Sequence, residues 1–241
     1  MKWRFEVYEA LQSTSDFCKA RAEDGESEGL AVLARRQTAG RGTRGRSWVD
    51  PGNNLSFSFV LRFSTDASPL PVLPFIVALA VHAAFAHFAG NCSSVLSLKW
   101  PNDLLLDDRK MAGILIEAGG SAHNQWIVVG VGANLVVAPQ VPGRELAAFS
   151  EIATAPDPLL VAEKITEYFS LWLDRWKTDG FAEIRSAWLS RAHPLGRRLA
   201  VQSRETYITG MFSGLDEQGR LLLALESGEI LPVITGDVLL D

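Results

Sequence analysis

The sequence predicts an α+β protein, with a mixed β-sheet, helices on one side of it and a small all-β unit at the C-terminus. Short apolar or alternating runs follow one another across tight turns, so most neighbouring strands are expected to pair antiparallel. Two long segments carry helical patterns: 71–88 is apolar nearly all round, and 157–177 repeats its apolar residues at helical spacing. From residue 194 the chain is short strands and glycine turns, too little to be very stable alone. We therefore predict two domains, 1–193 and an SH3-like 194–241.

Composition narrows the class of protein. The chain has 241 residues, 47% of them hydrophobic, and a net charge of -5, which argues against a general nucleic-acid binder. Its two cysteines, Cys18 and Cys92, predict a reduced cytoplasmic protein. The N-terminus has no signal-peptide core, and the apolar stretch 69–89 is broken by prolines and histidines, so we expect a buried helix and no membrane partner. The histidines show no zinc-ligand spacing, and no protein metal ligands are predicted.

The expected elements follow in chain order. The strict alternation over 53–62 predicts a strand with one buried face, and the hydroxyl residues at 13–15 predict a helix N-cap. Strands are expected at 1–8, 29–34, 53–62, 95–99, 104–106, 112–117 and 125–135, and helices at 13–25, 71–88, 157–177 and 181–191.

The segment 35–48 is the strongest candidate for a binding loop. It holds five arginines and three glycines between two predicted strands. Guanidinium forks match carboxylate and phosphate oxygens, and glycine lets the backbone approach a ligand. The segment is neither a P-loop nor a Rossmann fingerprint, which leaves an anion-binding loop, a solvated loop or an RGG-like segment as interpretations.

Three further motifs could contribute to the same site, and each is weak alone. Lys99 ends a buried strand in KWPND, where an ammonium requires an anionic partner. Asn102 and Asp103 could take hydrated Mg²⁺ or its nucleotide, although Asp103 equally suits a turn cap. Gly113 could let a ligand lie against bare backbone, and Asn134 ends the run GVGAN with an amide suited to an adenine edge.

Taken together, these motifs resemble the biotin protein ligase family over nearly the whole chain. The matching pieces are Ser13-Thr14, QTAGRG at 37–42, RGRSW at 44–48, KWPND at 99–103, KMAGIL at 110–115 and GVGAN at 130–134. The resemblance starts at Trp3, so we expect the form without an N-terminal DNA-binding domain and no nucleic-acid partner. It implies an ATP-dependent ligase that uses Mg²⁺, forms biotinyl-5'-AMP and transfers biotin to a lysine of a carboxylase biotin-carrier domain. It also allows a homodimer, because family members pair through sheet edges.

The resemblance also assigns residues to roles. Lys99 and Arg41 would be catalytic, with Lys99 bridging the biotin carboxylate and the α-phosphate. The biotin site would comprise Ser13, Thr14, Ser15, Gln37, Gly40, Arg41, Gly42, Thr43, Lys99, Gly113 and Ile114. The nucleotide site would comprise Arg44, Arg46, Trp48, Asn102, Asp103 and Asn134. The chain departs from the family pattern at Thr43, where the loop commonly has arginine, and at Ser15, where asparagine is usual.

Two alternatives stay open from the sequence. A lipoate-protein ligase shares the fold class and the adenylation chemistry, but a dithiolane requires an apolar pocket, whereas Ser13, Thr14 and Gln37 suit a polar ureido head. A catalytically silent biotin or biotinyl-AMP binding protein is the second alternative, suggested by Thr43.

Overall fold

The computed structural model describes residues 1–63, 69–120, 125–202 and 206–240, which form two β-sheets and three α-helices. The first sheet is mixed, as predicted: β1 and β2 pair in parallel and all its other pairs are antiparallel. Its strands are β1 (Arg4–Tyr8), β2 (Leu30–Ala34), β3 (Leu55–Leu61), β4 (Leu96–Lys99), β5 (Asp103–Leu106), β6 (Arg109–Gly119) and β7 (Trp126–Ala133), in the spatial order β1-β2-β3-β7-β6-β5-β4.

The helices lie on both faces of this sheet, which corrects the prediction that they share one side. Leu33 and Phe57 join the main core together with α2 (Leu73–Ala89) and α3 (Pro158–Leu189). Neighbouring residues of the same strands point the other way, and Val32 packs in a second cluster with Cys18 of α1 (Thr14–Glu23). Side chains alternate between the two faces of a strand, so α1 covers the opposite face.

Strand β3 is consequently buried along its whole length, and the predicted solvent face is wrong. The alternation of apolar and hydroxyl residues is real, but Ser56 and Ser58 lie on the face under α1 and are 1% and 0% exposed. Buried hydroxyls require hydrogen-bond partners, and in β3 those partners belong to the candidate site.

The long apolar helix packs in the core, as expected. Leu73–Val95 is long and apolar enough to cross a membrane by length and composition, yet most of this stretch is buried inside the protein. In α2 the buried residues lie all round the helix, between the sheet and α3, which is the arrangement that an unbroken apolar pattern predicts.

Helix α3 is interrupted where the sequence predicts a break. Gly180 has φ 77° and ψ -174°, which is non-helical, and it separates two helical segments. Asp157 caps the N-terminus by accepting a hydrogen bond from the backbone N–H of Leu159 at 2.8 Å, and Pro158 occupies the first helical position.

The second sheet is entirely antiparallel and shares the hydrophobic core of the first. Its strands are β8 (Arg198–Gln202), β9 (Tyr207–Leu215), β10 (Leu221–Ala224), β11 (Ile230–Val233) and β12 (Asp237–Leu240), in the order β11-β10-β9-β8-β12. The indole N–H of Trp100, beside the first sheet, donates to the carbonyl of Gly219 at 3.1 Å. The small all-β unit is confirmed, while the boundary at residues 193/194 stays a prediction.

Candidate active site

A polar corner forms where the N-terminus of α1 meets β3. Gln37 Oε1 accepts hydrogen bonds from the backbone N–H of Thr14 at 2.7 Å and from its hydroxyl at 3.2 Å. The Thr14 hydroxyl also lies 2.8 Å from Ser58 Oγ, and Ser15 Oγ lies 3.1 Å from the same atom. Asp50 holds Gln37 from behind by accepting its backbone N–H at 2.9 Å. These hydroxyl and amide groups hold one another in place through hydrogen bonds.

Ser13 is a helix cap and does not line the neighbouring pocket. Its Oγ accepts the backbone N–H of Asp16 at 3.2 Å, and the residue is buried. The predicted N-cap is therefore confirmed, whereas nothing in the geometry supports direct contact between this hydroxyl and a ligand.

The polar corner is one end of a cleft between the arginine loop (residues 35–48), the N-terminus of α1 and strands β3, β6 and β7. Of the predicted biotin residues, Thr14, Ser15, Gln37, Arg41, Gly42, Thr43, Gly113 and Ile114 line it, together with Asn102, Lys110 and Gly130. Gly40 does not line the cleft; it packs within the loop, where a Cβ would meet the carbonyl of Trp48 at 2.6 Å.

Trp48 separates this cleft from a second pocket and lines both. Its indole lies against bare backbone, because a Cβ at Gly132 would meet the ring at 2.5 Å and one at Gly113 at 3.3 Å. Gly113 was expected to leave space for a ligand, but in the structure Trp48 and the Lys110 ammonium take that space. Trp48 walls the second pocket, as predicted for the nucleotide site.

The second pocket has a volume of about 270 Å³, and its walls are partly apolar and partly cationic. Arg46, Lys110, Asn134 and Arg144 line it. The amide N–H of Asn134 donates to the carbonyl of Ala147 at 3.1 Å, while its Oδ1 is buried and has no hydrogen-bond partner within the described parts of the chain. A buried oxygen without a hydrogen-bond donor costs free energy. An N–H donor of a ligand would supply the missing hydrogen bond, which agrees with the role predicted for Asn134.

The structure corrects the assignment of the principal lysine. Lys110, not Lys99, lines both pockets, with its ammonium 5.8 Å from the Trp48 ring centre. Lys99 lines neither pocket; its Nζ lies 3.1 Å from Asp103 Oδ2 and donates to the carbonyl of Val238 at 3.1 Å. Lys99 ends strand β4 and turns toward the second sheet, which the sequence pattern does not reveal.

Asp103 is the shared counter-ion of the two lysines. It is buried, with Oδ1 2.6 Å from Lys110 Nζ and Oδ2 3.1 Å from Lys99 Nζ. Burial acts to raise the pKa of this carboxyl, but the two ammonium groups outweigh it and the pKa is lowered. Asp103 and Asn102 were assigned to the nucleotide. Instead, Asp103 lines neither pocket, and Asn102 lines the first cleft, where its amide donates to the carbonyl of Ile114 at 2.6 Å.

Arg41 belongs to a charge cluster at the mouth of the first cleft. One of its guanidinium nitrogens contacts Asp16 and the other lies 2.9 Å from Glu117, and Lys19 bridges the same two carboxylates. Burial acts to lower the pKa of Arg41, but these two carboxylates outweigh it and raise the pKa. The arginine is thus held at the cleft as predicted, with its charge already paired.

Two further arginines of the loop, Arg44 and Arg46, dock on the second sheet. Arg46 binds both oxygens of Asp237 at 2.9 and 3.2 Å, and Arg44 approaches the same carboxylate at 3.0 Å. Arg44 adopts φ 58°, in the left-handed region, and also donates to the hydroxyl of Thr235 at 3.1 Å. Only Arg46 of this pair reaches the second pocket.

Sequence reasoning missed four residues of this site: Ser58, Lys110 as a site residue, Arg144 and Asp237. Lys110 was visible in the KMAGIL motif, but its importance depends on which face of β6 it occupies. Ser58 was hidden by an alternation that normally indicates a solvent face. Arg144 and Asp237 had no local signal, because the tertiary fold alone brings them to the loop.

Family comparisons define the class of protein. The model of the biotin/lipoate A/B protein ligase family matches residues 7–134, and that of the biotin protein ligase C-terminal domain matches residues 195–241. The chain therefore belongs to the biotin/lipoate A/B protein ligase family.

Within this family the similarity is to biotin ligases. The biotin–[acetyl-CoA-carboxylase] ligase of Paracoccus denitrificans is 38% identical over 83% of this chain and 87% of its own length. A biotin protein ligase from Aquifex aeolicus in complex with biotin and ATP superposes with a TM-score of 0.81 at 29% identity, covering 98% of each chain. A Leishmania major biotin protein ligase in complex with biotinyl-5-AMP gives 0.62 at 26% identity, covering 96% of this chain and 98% of the other. The family resemblance and the fold class are confirmed.

Proposed function

We propose that the chain activates biotin with ATP and transfers it to a lysine of the biotin-carrier domain of a biotin-dependent carboxylase. The observation that carries this proposal is a pair of adjoining pockets that share Trp48 and Lys110, one ending in fixed hydroxyl and amide groups and the other cationic. A polar-headed carboxylic acid fits the first pocket and a nucleotide the second. The ligands in the similar structures, biotin with ATP and biotinyl-5-AMP, support the same arrangement.

The head of biotin binds at the polar corner. A ureido ring has a carbonyl acceptor and two N–H donors, and Thr14, Ser15, Gln37 and Ser58 supply complementary groups there. The valeryl chain then runs along the cleft beside Ile114 toward Lys110, where the carboxylate meets an ammonium. A dithiolane offers no hydrogen-bond partners to this corner, so lipoate is the less favoured substrate.

The first step forms an acyl-adenylate. A carboxylate oxygen of biotin attacks the α-phosphorus of ATP, and pyrophosphate leaves with the electrons of the broken P–O bond. Both reactants are anionic, so the step requires fixed positive charge near the developing negative charge. We propose that Lys110, held by Asp103, supplies this charge between the two pockets in place of Lys99. Arg46 contributes from the nucleotide side and Arg41 from the mouth of the first cleft.

The second step releases AMP. The neutral amine of the acceptor lysine attacks the acyl carbon, an amide bond forms, and the C–O bond to AMP breaks as the amine proton is lost. Among the described residues that line the cleft there is no carboxylate and no histidine, and nearby Asp103 is paired with two lysines. Positioning of the acyl-adenylate and exclusion of water from the cleft are therefore the contributions of the protein.

The protein contacts offer little to a resident metal ion. Within the described ranges no group of three or more His, Cys, Asp or Glu side chains is placed to hold one, and Asp103 has both oxygens engaged by lysines. Mg²⁺ would thus accompany the ATP phosphates, which supply the oxygen ligands it prefers. We propose cytoplasmic action, in keeping with the free thiols of Cys18 and Cys92. A homodimer is proposed only as an option of the family, and no nucleic-acid partner is proposed.

Binding and exchange measurements test the proposal. In calorimetry we expect heat with biotin and none with lipoate at the same concentrations, followed by biotin-dependent exchange of pyrophosphate into ATP. Binding without exchange would indicate a silent binding protein, and heat with lipoate alone would indicate a lipoate ligase. Absence of heat with biotin would overturn the proposal.

A further inference from the structure

Ser58 is a fully buried hydroxyl at the centre of the first sheet. It lies in β3, with 0% exposure, and reaches the first cleft between the two hydroxyl residues that begin α1. Its Oγ is 2.8 Å from Thr14 Oγ1 and 3.1 Å from Ser15 Oγ. Ser56, two residues earlier on the same face, instead donates to Asp50 at 3.0 Å and does not line the cleft. Only the second of these serines joins the pocket.

The neighbouring bonds decide the direction of this hydroxyl chain. The backbone N–H of Thr14 can only donate, so Gln37 must present its carbonyl oxygen there. The Thr14 hydroxyl therefore donates to the same oxygen and must accept from Ser58. Ser58 then has no second proton for Ser15, so Ser15 donates to it. The hydroxyl chain therefore runs from Ser15 through Ser58 and Thr14 to Gln37, and each of its three hydroxyl protons has one acceptor.

The assignment has a consequence for the ligand. Ser15 and Ser58 have committed their protons, so toward the cleft they offer lone pairs only. Such a wall accepts hydrogen bonds from a ligand N–H and cannot donate to a ligand carbonyl. Space for the wall depends on Gly130, because a Cβ there would approach Ser15 Oγ to 2.5 Å and Ser58 Oγ to 3.4 Å.

We infer that Ser58 is a positioning and specificity-determining residue. It sets the hydrogen-bond direction of the polar corner, so that the hydroxyls of Ser58 and Ser15 accept a hydrogen bond from an N–H group of the ligand head. The inference rests on the proposed biotin ligase function and assigns a role to a residue outside the family motifs. It also explains why serine is tolerated at position 15 of this protein: the Ser15 hydroxyl reaches Ser58 and completes the row of hydrogen-bonded hydroxyls.

Ser58→Ala tests this role, with Thr166→Val as the control. Thr166 is equally buried and bonds to the carbonyl of Glu163 in α3, away from the cleft. Calorimetry should show biotin binding weakened about three- to tenfold in Ser58→Ala, the effect of losing one or two hydrogen bonds. In pyrophosphate exchange the KM for biotin should rise, while kcat and the KM for ATP stay at wild-type values. Thr166→Val should leave all three constants unchanged.

A double-mutant cycle of Ser58→Ala with Ser15→Ala tests the hydrogen bond between the two hydroxyls. The Ser15 hydroxyl donates to Ser58, so the two substitutions remove one shared hydrogen bond. Ser15→Ala should weaken biotin binding by about twofold or more, and the loss of binding free energy in the double variant should be smaller than the sum of the two single losses. Additive losses, or wild-type biotin affinity in Ser58→Ala, would overturn the inference. Should Ser58→Ala fail to fold, wild-type affinity in Ser15→Ala alone would do the same. If wild-type protein binds no biotin, the proposed function fails instead, so the two failures are distinguishable.

Discussion

At the scale of single residues, the charge of the site depends on which of two lysines faces the ligand. Lys99 and Lys110 contact opposite oxygens of Asp103, yet only Lys110 lines the pockets. A sequence motif gives the order of residues along a strand, but the direction of a side chain depends on the strand's partners. The registers of β5 with β4 and β6 therefore decide the assignment.

The two lysines should respond differently to substitution by methionine, which keeps the side-chain length. Lys110→Met should slow biotin-dependent pyrophosphate exchange about 100-fold or more, because a fixed charge at the reacting groups is lost. Lys99→Met should slow exchange less than about tenfold, since the Lys110–Asp103 pair remains. Equal losses in the two variants would mean that Lys99 acts directly, as the sequence alone indicates.

Thr43 is the residue of the loop that departs from the family pattern. It lines the first cleft and accepts a hydrogen bond from Arg46 at 3.1 Å. Thr43→Arg should slow release of the activated intermediate about tenfold, because a charged hydrogen bond to its carboxyl or phosphate oxygens would be added. The measurement is the release rate of radiolabelled intermediate after rapid gel filtration. Thr38→Arg is the control and adds the same charge at an exposed position of the loop. No change of the release rate in Thr43→Arg would mean that the departure is harmless. An equal effect of Thr38→Arg would mean that added charge, and not position 43, slows release.

At the scale of elements, the arginine loop is docked on the second sheet. Asp237 of β12 pairs with Arg44 and Arg46, and the backbone between them forms a single 3-10 turn at Thr43–Gly45. Both guanidinium groups are therefore held at one carboxylate. Exposed pairs of this kind contribute little each, so the anchorage is weak enough for phosphates to compete.

Removal of the anchor should loosen the loop. Asp237→Asn should accelerate tryptic cleavage after Arg44 and Arg46 about two- to fivefold, because each exposed ion pair contributes up to about 1 kcal/mol. Asp174→Asn removes an exposed carboxylate from α3 and should leave the cleavage rate unchanged. Cleavage at the wild-type rate in Asp237→Asn would show that the arginine pairs do not hold the loop.

Elements were predictable where local pattern and tertiary environment agree. The break at Gly180 and the helix start at Asp157-Pro158 depend only on neighbouring residues, and both were expected. The burial of β3 was not, because alternating serines look the same whether the hydroxyl face meets water or a helix. The serines of β3 are buried because α1 packs on that face of the sheet.

At the scale of the whole molecule, the two sheets form one body around a continuous core. Strand β12 contributes Asp237 to the arginine loop and the Val238 carbonyl to Lys99, so the second sheet braces the cationic side of the site. His193 lies at the connection between α3 and the second sheet, and its ring contacts that of Phe212 in a tilted arrangement with ring centres 4.8 Å apart. Burial lowers the pKa of His193, and that of His82, to about 4.

Acid should therefore destabilise the protein between pH 6.5 and 4. In this interval the unfolded histidines bind protons that the folded ones do not, so the free energy of unfolding falls as pH decreases, by up to about 1.4 kcal/mol per pH unit for each histidine. His193→Gln should flatten this dependence in urea unfolding measured at successive pH values. His87→Gln, at an exposed position, should leave the slope as in wild type; a slope that does not change in His193→Gln would contradict the assignment.

The pattern of residues along the chain was sufficient to predict the mixed sheet, the long helices and the small C-terminal sheet, because these depend on periodicity and turn residues. Local motifs were sufficient to predict the family. They also located Thr14, Gln37, Arg41, Trp48 and Asn134 near the ligand pockets. The choice of Lys110 over Lys99, the hydroxyl chain through Ser58 and the anchorage of the loop by Asp237 came only from the folded molecule. Each joins residues from separate strands, and their contacts depend on pairing register and helix placement, which no local pattern encodes.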